Sequence, residues 1–219
     1  MNAIFKPISH RLATATVIAE HYAHVGPSIS WAFGMYVEDQ LSGVLTVGCS
    51  GYATGMRRGV CGPEGRNDVF ELNRFWVSDS VPIVEVQKGD KIHKNGMESS
   101  FIGWCLRTLR HERPNIILVS YADTAQGHRG VIYQATNWLY TGMPPKSKDI
   151  VGDKRVERSR KHRYVWFANT RDRKLLRWEV LPYPKPAAHF DPQVSIPDLD
   201  QKYGSGTRIG QEITDIVNV

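Results

Sequence analysis

The chain lacks any apolar run near the roughly 18 residues of a membrane-spanning helix, and its N-terminus lacks the basic-then-apolar pattern of a secretory signal. Cysteine is scarce: Cys49, Cys61 and Cys105 are odd in number and scattered. There is no CxxC pair and no Cys/His quartet, which excludes a disulfide framework and argues against structural zinc. Reduced thiols, a cytoplasmic location and no membrane partner are therefore expected. No segment repeats.

What the 219 residues do have is an ordinary globular composition, 41% hydrophobic, with room for one sizeable core. Their net charge of +6 is unevenly spread. Residues 146–177 hold 12 Lys+Arg against 4 Asp+Glu, whereas residues 1–145 are nearly neutral and residues 178–219 are net acidic. A block of this kind is either a solvated basic hairpin or the electrostatic footprint of a polyanion binder. Lys154, Arg155, Arg158, Arg160, Lys161 and Arg163 are its candidate phosphate contacts.

Along the chain, residues 4–8 read as a strand, and Ser9 caps a helix to about Tyr22. His21, Tyr22 and His24 crowd the end of that helix before Gly26 and Pro27 stop it. They are either site residues or a cluster easing the helix C-terminus. Residues 30–37 and 41–48 form a hairpin. Cys49 to Asp68 reads as a Gly-rich loop carrying Arg57, Arg58 and Arg66. Val69–Val77 is a strand whose alternation puts Glu71 and Asn73 on one face and Leu72, Arg74 and Trp76 on the other. Charge inside a central strand must be paired or line a site, so Glu71 and Arg74 are an ion pair or pocket residues.

A second polar loop spans 78–96. Residues 98–110 form a helix with Phe101, Ile102, Cys105, Leu106 and Leu109 inward. Its first turn, with Ser99 and Ser100, offers the free N–H groups of a phosphate site. With Glu71, Asn73 and Arg74 these make a candidate cofactor-binding set. Residues 115–121 are a buried strand, followed by a polar turn, a helix over 130–136 closing on Asn137, and a strand from Trp138. This unit places Tyr121, Asp123 and His128 where a strand ends, which is where ligands collect in open α/β sheets. Asp123 either serves that site or caps its turn. Residues 163–167 form a strand, 174–181 pair with it as a hairpin, and 182–219 are a Pro-punctuated tail behind a single domain, 1–181. The order β-α-β-β-β-α-β-α-β-β predicts an α/β (α+β) mixed sheet with helices on both faces. The sheet is antiparallel early and parallel at the fourth and fifth strands.

This order resembles the GNAT acyltransferase fold, and Tyr133-x-x-x-Asn-Trp-x-Tyr-x-Gly142 resembles the aromatic turn closing its fourth helix. The chain resembles more narrowly the Mom family of bacteriophage DNA-modification proteins, through His21-Tyr-x-His24, Glu71-Leu-Asn-Arg-Phe-Trp-Val77, Glu98-Ser-Ser-Phe-Ile-Gly-Trp-Cys-Leu-Arg107 and Ser120-Tyr-Ala-Asp-Thr-x-x-Gly-His-Arg-Gly-x-x-Tyr-Gln-Ala-Thr-Asn-Trp138. The resemblance implies a GNAT-like, mostly antiparallel sheet with a parallel pair at the cleft. It also implies conversion of adenine in phage DNA to N6-(carbamoylmethyl)adenine, a shield against restriction, in the cytoplasm of the host cell. The partner is then double-stranded DNA.

Exocyclic adenine nitrogen is a poor nucleophile and is hidden in the duplex, so the base must be flipped. Tyr22, Trp31, Tyr52 and Tyr133 are available to stack it, or serve as core. Asp123 and His128 are the candidate general bases, and Tyr121 and Tyr133 the candidate proton or hydrogen-bond donors. His21 and Tyr22 lie opposite. Arg57 and Arg58 join the basic block in holding DNA.

Acetyl-CoA is the usual GNAT donor, but Glu98-Ser-Ser-Phe-Ile-Gly103 departs from the family's pyrophosphate loop. An N6-glycyl group and an N6-carbamoylmethyl group are isomers, so an activated glycine such as glycyl-tRNA is the alternative donor, with tRNA a second partner for the basic block. Fe(II) held by His21, His24 and Asp123 is a third route. Two other functions remain open: a GNAT acetyltransferase of a protein or small amine, and a non-catalytic nucleic-acid-binding module.

Overall fold

Alternating apolar residues organise the chain around one large sheet, seen in a computed structural model that describes residues 3–49, 53–65, 67–81, 84–88, 91–145, 148–151, 154–157 and 159–185. In order the elements are β1 (Ala3–Pro7), α1 (His10–Glu20), β2 (Trp31–Val37), β3 (Gln40–Gly48), α2 (Ala53–Gly65), β4 (Val69–Val77), β5 (Val84–Lys88), β6 (Lys91–Asn95) and α3 (Met97–Glu112). There follow β7 (Ile117–Asp123), α4 (Val131–Ala135), β8 (Leu139–Tyr140), β9 (Lys148–Val151), β10 (Lys154–Glu157) and β11 (Lys161–Phe167). Short 3-10 turns cover Thr124–Gln126 and Thr170–Leu175.

Seven strands pair in the order β1-β2-β3-β4-β7-β11-β8, and β5–β6 and β9–β10 are separate hairpins. Every pairing is antiparallel except β4 with β7. This parallel pair is the one expected from the sequence, because α3 supplies the crossover that parallel strands need. It is short: Val69–Glu71 lie against Ile117–Val119, and beyond them the two strands no longer pair. The sheet therefore opens at its middle.

Helices cover both faces, as expected for the mixed sheet. Phe33, Met35, Leu45, Phe70, Leu72 and Leu118 pack with α3 residues Phe101, Ile102, Cys105, Leu106 and Leu109. The intervening residues point the other way, Ala32 and Val44 against α1 and Val69, Ile117 and Val119 against α2. Each large side chain fully buried here contributes about 1.5–3 kcal/mol of apolar transfer. Among the described residues no helix is long and apolar enough to cross a membrane.

Four expectations from sequence need correction. The loop over 49–68 contains α2, which is kinked at Gly62 (φ 67°) before Pro63. The loop over 78–96 contains the β5–β6 hairpin. Residues 174–181 form no strand; Thr170–Leu175 make a 3-10 turn that packs Leu175, Leu176 and Trp178 over α2. Finally, β4 does not alternate evenly. Thr46 pairs with Arg74 and Val47 with Leu72, so Asn73 is an extra residue in a β-bulge. Leu72 faces the α3 core, whereas Trp76 packs on the α1 side and Phe75 returns to the α3 side. Residues 186–219, and with them nearly all of the expected tail, lie outside the described residues.

Candidate active site

Where β4 and β7 part, a cavity of about 550 Å³ opens. It takes residues 72–77 of β4, Ser120, Tyr121 and Ala122 of β7, Glu20, His21 and Tyr22 from the end of α1, Glu98 of α3, and residues 126–133 of the turn and α4. Both faces of the sheet thus contribute. The volume suits a small ligand or a single base.

The separation leaves backbone groups to satisfy, and Ser120 does this. Its hydroxyl donates to the Leu72 carbonyl across the gap at 2.8 Å and lies 2.7 Å from the Tyr133 phenol. Tyr133 is buried among Trp138 and Tyr164, and burial pushes its pKa up to about 12, so it stays protonated. On the opposite wall the His21 and Tyr22 rings stack at 4.3 Å, and the Tyr22 ring meets the His128 ring edge-on at 6.0 Å. Nδ1 of His21 accepts from the Ala23 N–H at 3.1 Å, which assigns the remaining proton to Nε2. Burial first, then the Arg74 guanidinium and His128, hold its pKa down to about 4. His21 is therefore neutral, and a donor rather than a base.

Arg74 reaches this wall because of the bulge. Its guanidinium donates to the Asn73 carbonyl at 2.6 Å and the Val25 carbonyl at 3.2 Å, while its buried Nε has no partner among the described residues. Asn73 is spent on architecture: its amide accepts from Thr46 at 2.6 Å and donates to the Ser28 carbonyl at 2.8 Å.

The turn carrying His128 is held from behind. Asp123, 6% exposed, accepts from the Ala125 N–H at 2.9 Å and the Ser159 hydroxyl at 2.8 Å, with the Lys161 ammonium at 3.3 Å. Burial alone would raise its pKa, but these bonds and the Lys161 charge outweigh it and hold the carboxyl below its usual range. Tyr164 and Gln134 donate to the Arg129 carbonyl, and left-handed Gly127 and Gly130 flank the exposed His128.

The structure thus brings together His21, Tyr22, His128, Tyr133 and Arg74. Tyr121 lies at the margin of the gap, its pKa pushed up to about 12 by burial and then by Glu71. Asp123 sits behind the turn and is not among the residues lining the cavity. His24 turns its Nδ1 to the Ile18 carbonyl at 2.8 Å. Among the described residues no three His, Cys, Asp or Glu side chains converge, so His21, His24 and Asp123 do not fit a metal. At α3, the Ser99 hydroxyl donates to the Gly96 carbonyl and Ser100 is exposed. The Glu98 carboxylate folds over Gly96, at the positive end of the helix where a phosphate was expected.

Of the candidate DNA contacts, Arg58 and Arg160 are exposed. Arg57 is turned inward, donating to the Val69 carbonyl at 3.0 Å and to Cys49. Arg163 donates to Thr141 at 2.9 and 3.0 Å and lies 3.4 Å over the Trp178 ring. Lys161 pairs with Asp123. Lys154 and Arg155 lie on β10, where the backbone alone is described; Arg158, Arg66 and Tyr52 fall outside the described residues. Trp31 is committed to Glu112 at 2.9 Å. Sequence reasoning missed Ser120, whose only signal is a lone hydroxyl in an apolar run.

A family model described as the Mom protein family matches residues 2–151. The chain belongs to the Mom protein family. Within it, the methylcarbamoylase mom of Escherichia phage Mu is 28% identical over 210 residues, covering 81% of this chain and 82% of that one. All the residues that line the cavity lie inside the matched Mom segment. Solved structures that align include an N-acetyltransferase from Staphylococcus aureus Mu50, at a TM-score of 0.48, 13% identity, and 77% and 100% of the two chains. Another is the IAA acetyltransferase of Bacillus cereus ATCC 14579, at 0.46, 8%, and 76% and 99%. Overlaps of that extent say nothing about donor or substrate.

Proposed function

We propose that this Mom protein is a DNA-modifying transferase that extrudes an adenine from duplex DNA and joins its N6 nitrogen to an activated acyl group, yielding N6-(carbamoylmethyl)adenine and protecting phage DNA from restriction. One observation carries the reading: the stacked His21–Tyr22 pair, with His128 edge-on against Tyr22, lines a base-sized cavity that a protonated Tyr133 also lines. The Mu relative's name, methylcarbamoylase, supports the product class.

In this scheme the Tyr22 ring, backed by His21, stacks the extruded base. The N6 lone pair attacks the acyl carbon while N6 gives up a proton, for which exposed His128 is the acceptor. Tyr133 hands its proton to the departing atom of the donor and is reloaded afterwards. Asp123 positions the turn. The folded-back Glu98 favours a donor that places no pyrophosphate at α3, which suits an activated glycine such as glycyl-tRNA. Attack of the glycyl amine on ring C6, with release of the original N6 as amide, then converts the glycyl isomer into the carbamoylmethyl product with no atom gained or lost. No step is routed through a metal.

Mass spectrometry of nucleosides from DNA of cells expressing the chain tests the reading; unmodified adenine overturns it. Label entering DNA from acetyl-CoA and not from glycyl-tRNA sinks the glycyl donor. The second reading, a GNAT acetyltransferase of a protein or small amine, predicts acetyl transfer with adenine untouched.

A further inference from the structure

Nine large apolar side chains are exposed among the described residues, and the most exposed of them, Val131 at 64%, stands at the mouth of the cavity. Tyr22 (43%) also lines that mouth, and Val25 (59%) follows in the chain after α1. Single apolar residues on a surface need no explanation. Val131 differs in its setting. It opens α4 directly after Gly130, whose φ of 74° and close approach to the Tyr164 ring fix the turn. The backbone just before it is pinned where Tyr164 and Gln134 donate to the Arg129 carbonyl and the His128 N–H donates to the Asp123 carbonyl at 3.0 Å. Arg129 and exposed His128 precede it. A rigid turn thus presents a branched apolar tip with polar and cationic side chains beside it.

We infer that Val131 is the wedge that enters the duplex and fills the space vacated by the extruded adenine, with Arg129 placed toward the flanking backbone. This rests on the adenine reading above. Extrusion breaks stacking and pairing, and apolar side chains inserted at a base step are a recurrent means of offsetting that cost. An aliphatic tip on an anchored turn loses little freedom on insertion, whereas a mobile loop would have to be ordered.

Because Val131 is exposed, replacing it leaves the core intact. The probe is a panel of duplexes with 2-aminopurine in varied sequence contexts, either paired with thymine or opposite an abasic site, and the readout is the fluorescence rise at saturating protein. V131A is expected to cut the rise on paired duplexes about tenfold, the equivalent of roughly 1.4 kcal/mol of opening, and to stay within about twofold of wild type opposite the abasic site. V131I should restore the paired signal. Equal loss on both duplexes, or no loss on the paired one, overturns the wedge. Wild-type protein that produces no rise on either duplex overturns the adenine reading, and the wedge with it.

Discussion

The hydroxyl of Ser120 lies 2.7 Å from the phenol of Tyr133, and this contact ties the site to the break in the sheet. Through Ser120 the buried phenol is joined to the Leu72 carbonyl, which has lost its neighbouring strand. S120A should cost about 1–3 kcal/mol by leaving buried groups unpaired, which lowers the melting temperature by roughly 2–4 °C per kcal/mol. Y133F keeps the ring and the packing, so it should melt near wild type while slowing transfer by roughly 10²–10⁴. Calorimetry and product formation separate the two effects.

His21 should be uncharged well below neutrality. Its pKa drops from 6.5 to about 4, so the unfolded chain binds its proton more readily than the folded one. The resulting stabilisation is complete above 6.5 and is lost as pH falls toward 4. Nitrogen-15 spectra of the imidazole should show the Nε2–H tautomer at pH 6. A midpoint near 6.5 would contradict the assignment.

Asp123 acts in a more acidic window. Its folded pKa lies below 3.8, so its contribution is present above that value and disappears as pH falls through the lower, folded one. D123N should therefore be less stable than wild type at pH 7, and the difference should shrink in acid. The mutant's DNA affinity should change little, because the carboxylate faces Ser159 and Lys161.

Neighbouring arginines should part company. R58A removes an exposed cation and should lower the slope of log K against log salt for DNA by about 1. R57A removes bonds to Val69 and Cys49, so it should reduce thermal stability and leave that slope unchanged.

Two glycines of the site turn should respond unequally. A Cβ at Gly127 meets nothing within 4 Å, so G127A incurs only the left-handed penalty of about 1–2 kcal/mol. At Gly130 the same Cβ would sit 2.3 Å from the Tyr164 ring. G130A should disturb α4 and abolish transfer, as activity and circular dichroism would report.

Much of this architecture was legible in the sequence, for identifiable reasons. Helix α3 shows itself through Phe101, Ile102, Cys105, Leu106 and Leu109, because its apolar period matches the burial it achieves. The parallel pair followed from a helix lying between two apolar strands. By contrast, α2 is written in glycine, with Gly55, Gly59, Gly62 and Gly65, and has no local propensity to reveal. Burial of Val60 and Cys61 beneath Leu175 and Trp178, contacts made over a hundred residues away, makes it a helix. In the site, His21, Tyr22 and His128 were visible as clustered chemistry. Asp123 was ambiguous because capping and catalysis ask for the same side chain, and Ser120 was silent because its role depends on a gap between strands.

The extra residue in β4 has a consequence for inheritance. Removing Asn73 would leave Arg74 opposite Thr46 and Phe75 opposite Leu45, each on its present side, because Leu72 and Phe75 already face the α3 core three residues apart. What deletion takes away is the Asn73 bridge between Thr46 and the Ser28 carbonyl. A residue inserted after Arg74 would instead turn Phe75, Trp76 and Val77 to the opposite side of the sheet. Lineages of this protein should thus accept the loss of residue 73 more readily than a gain just beyond it.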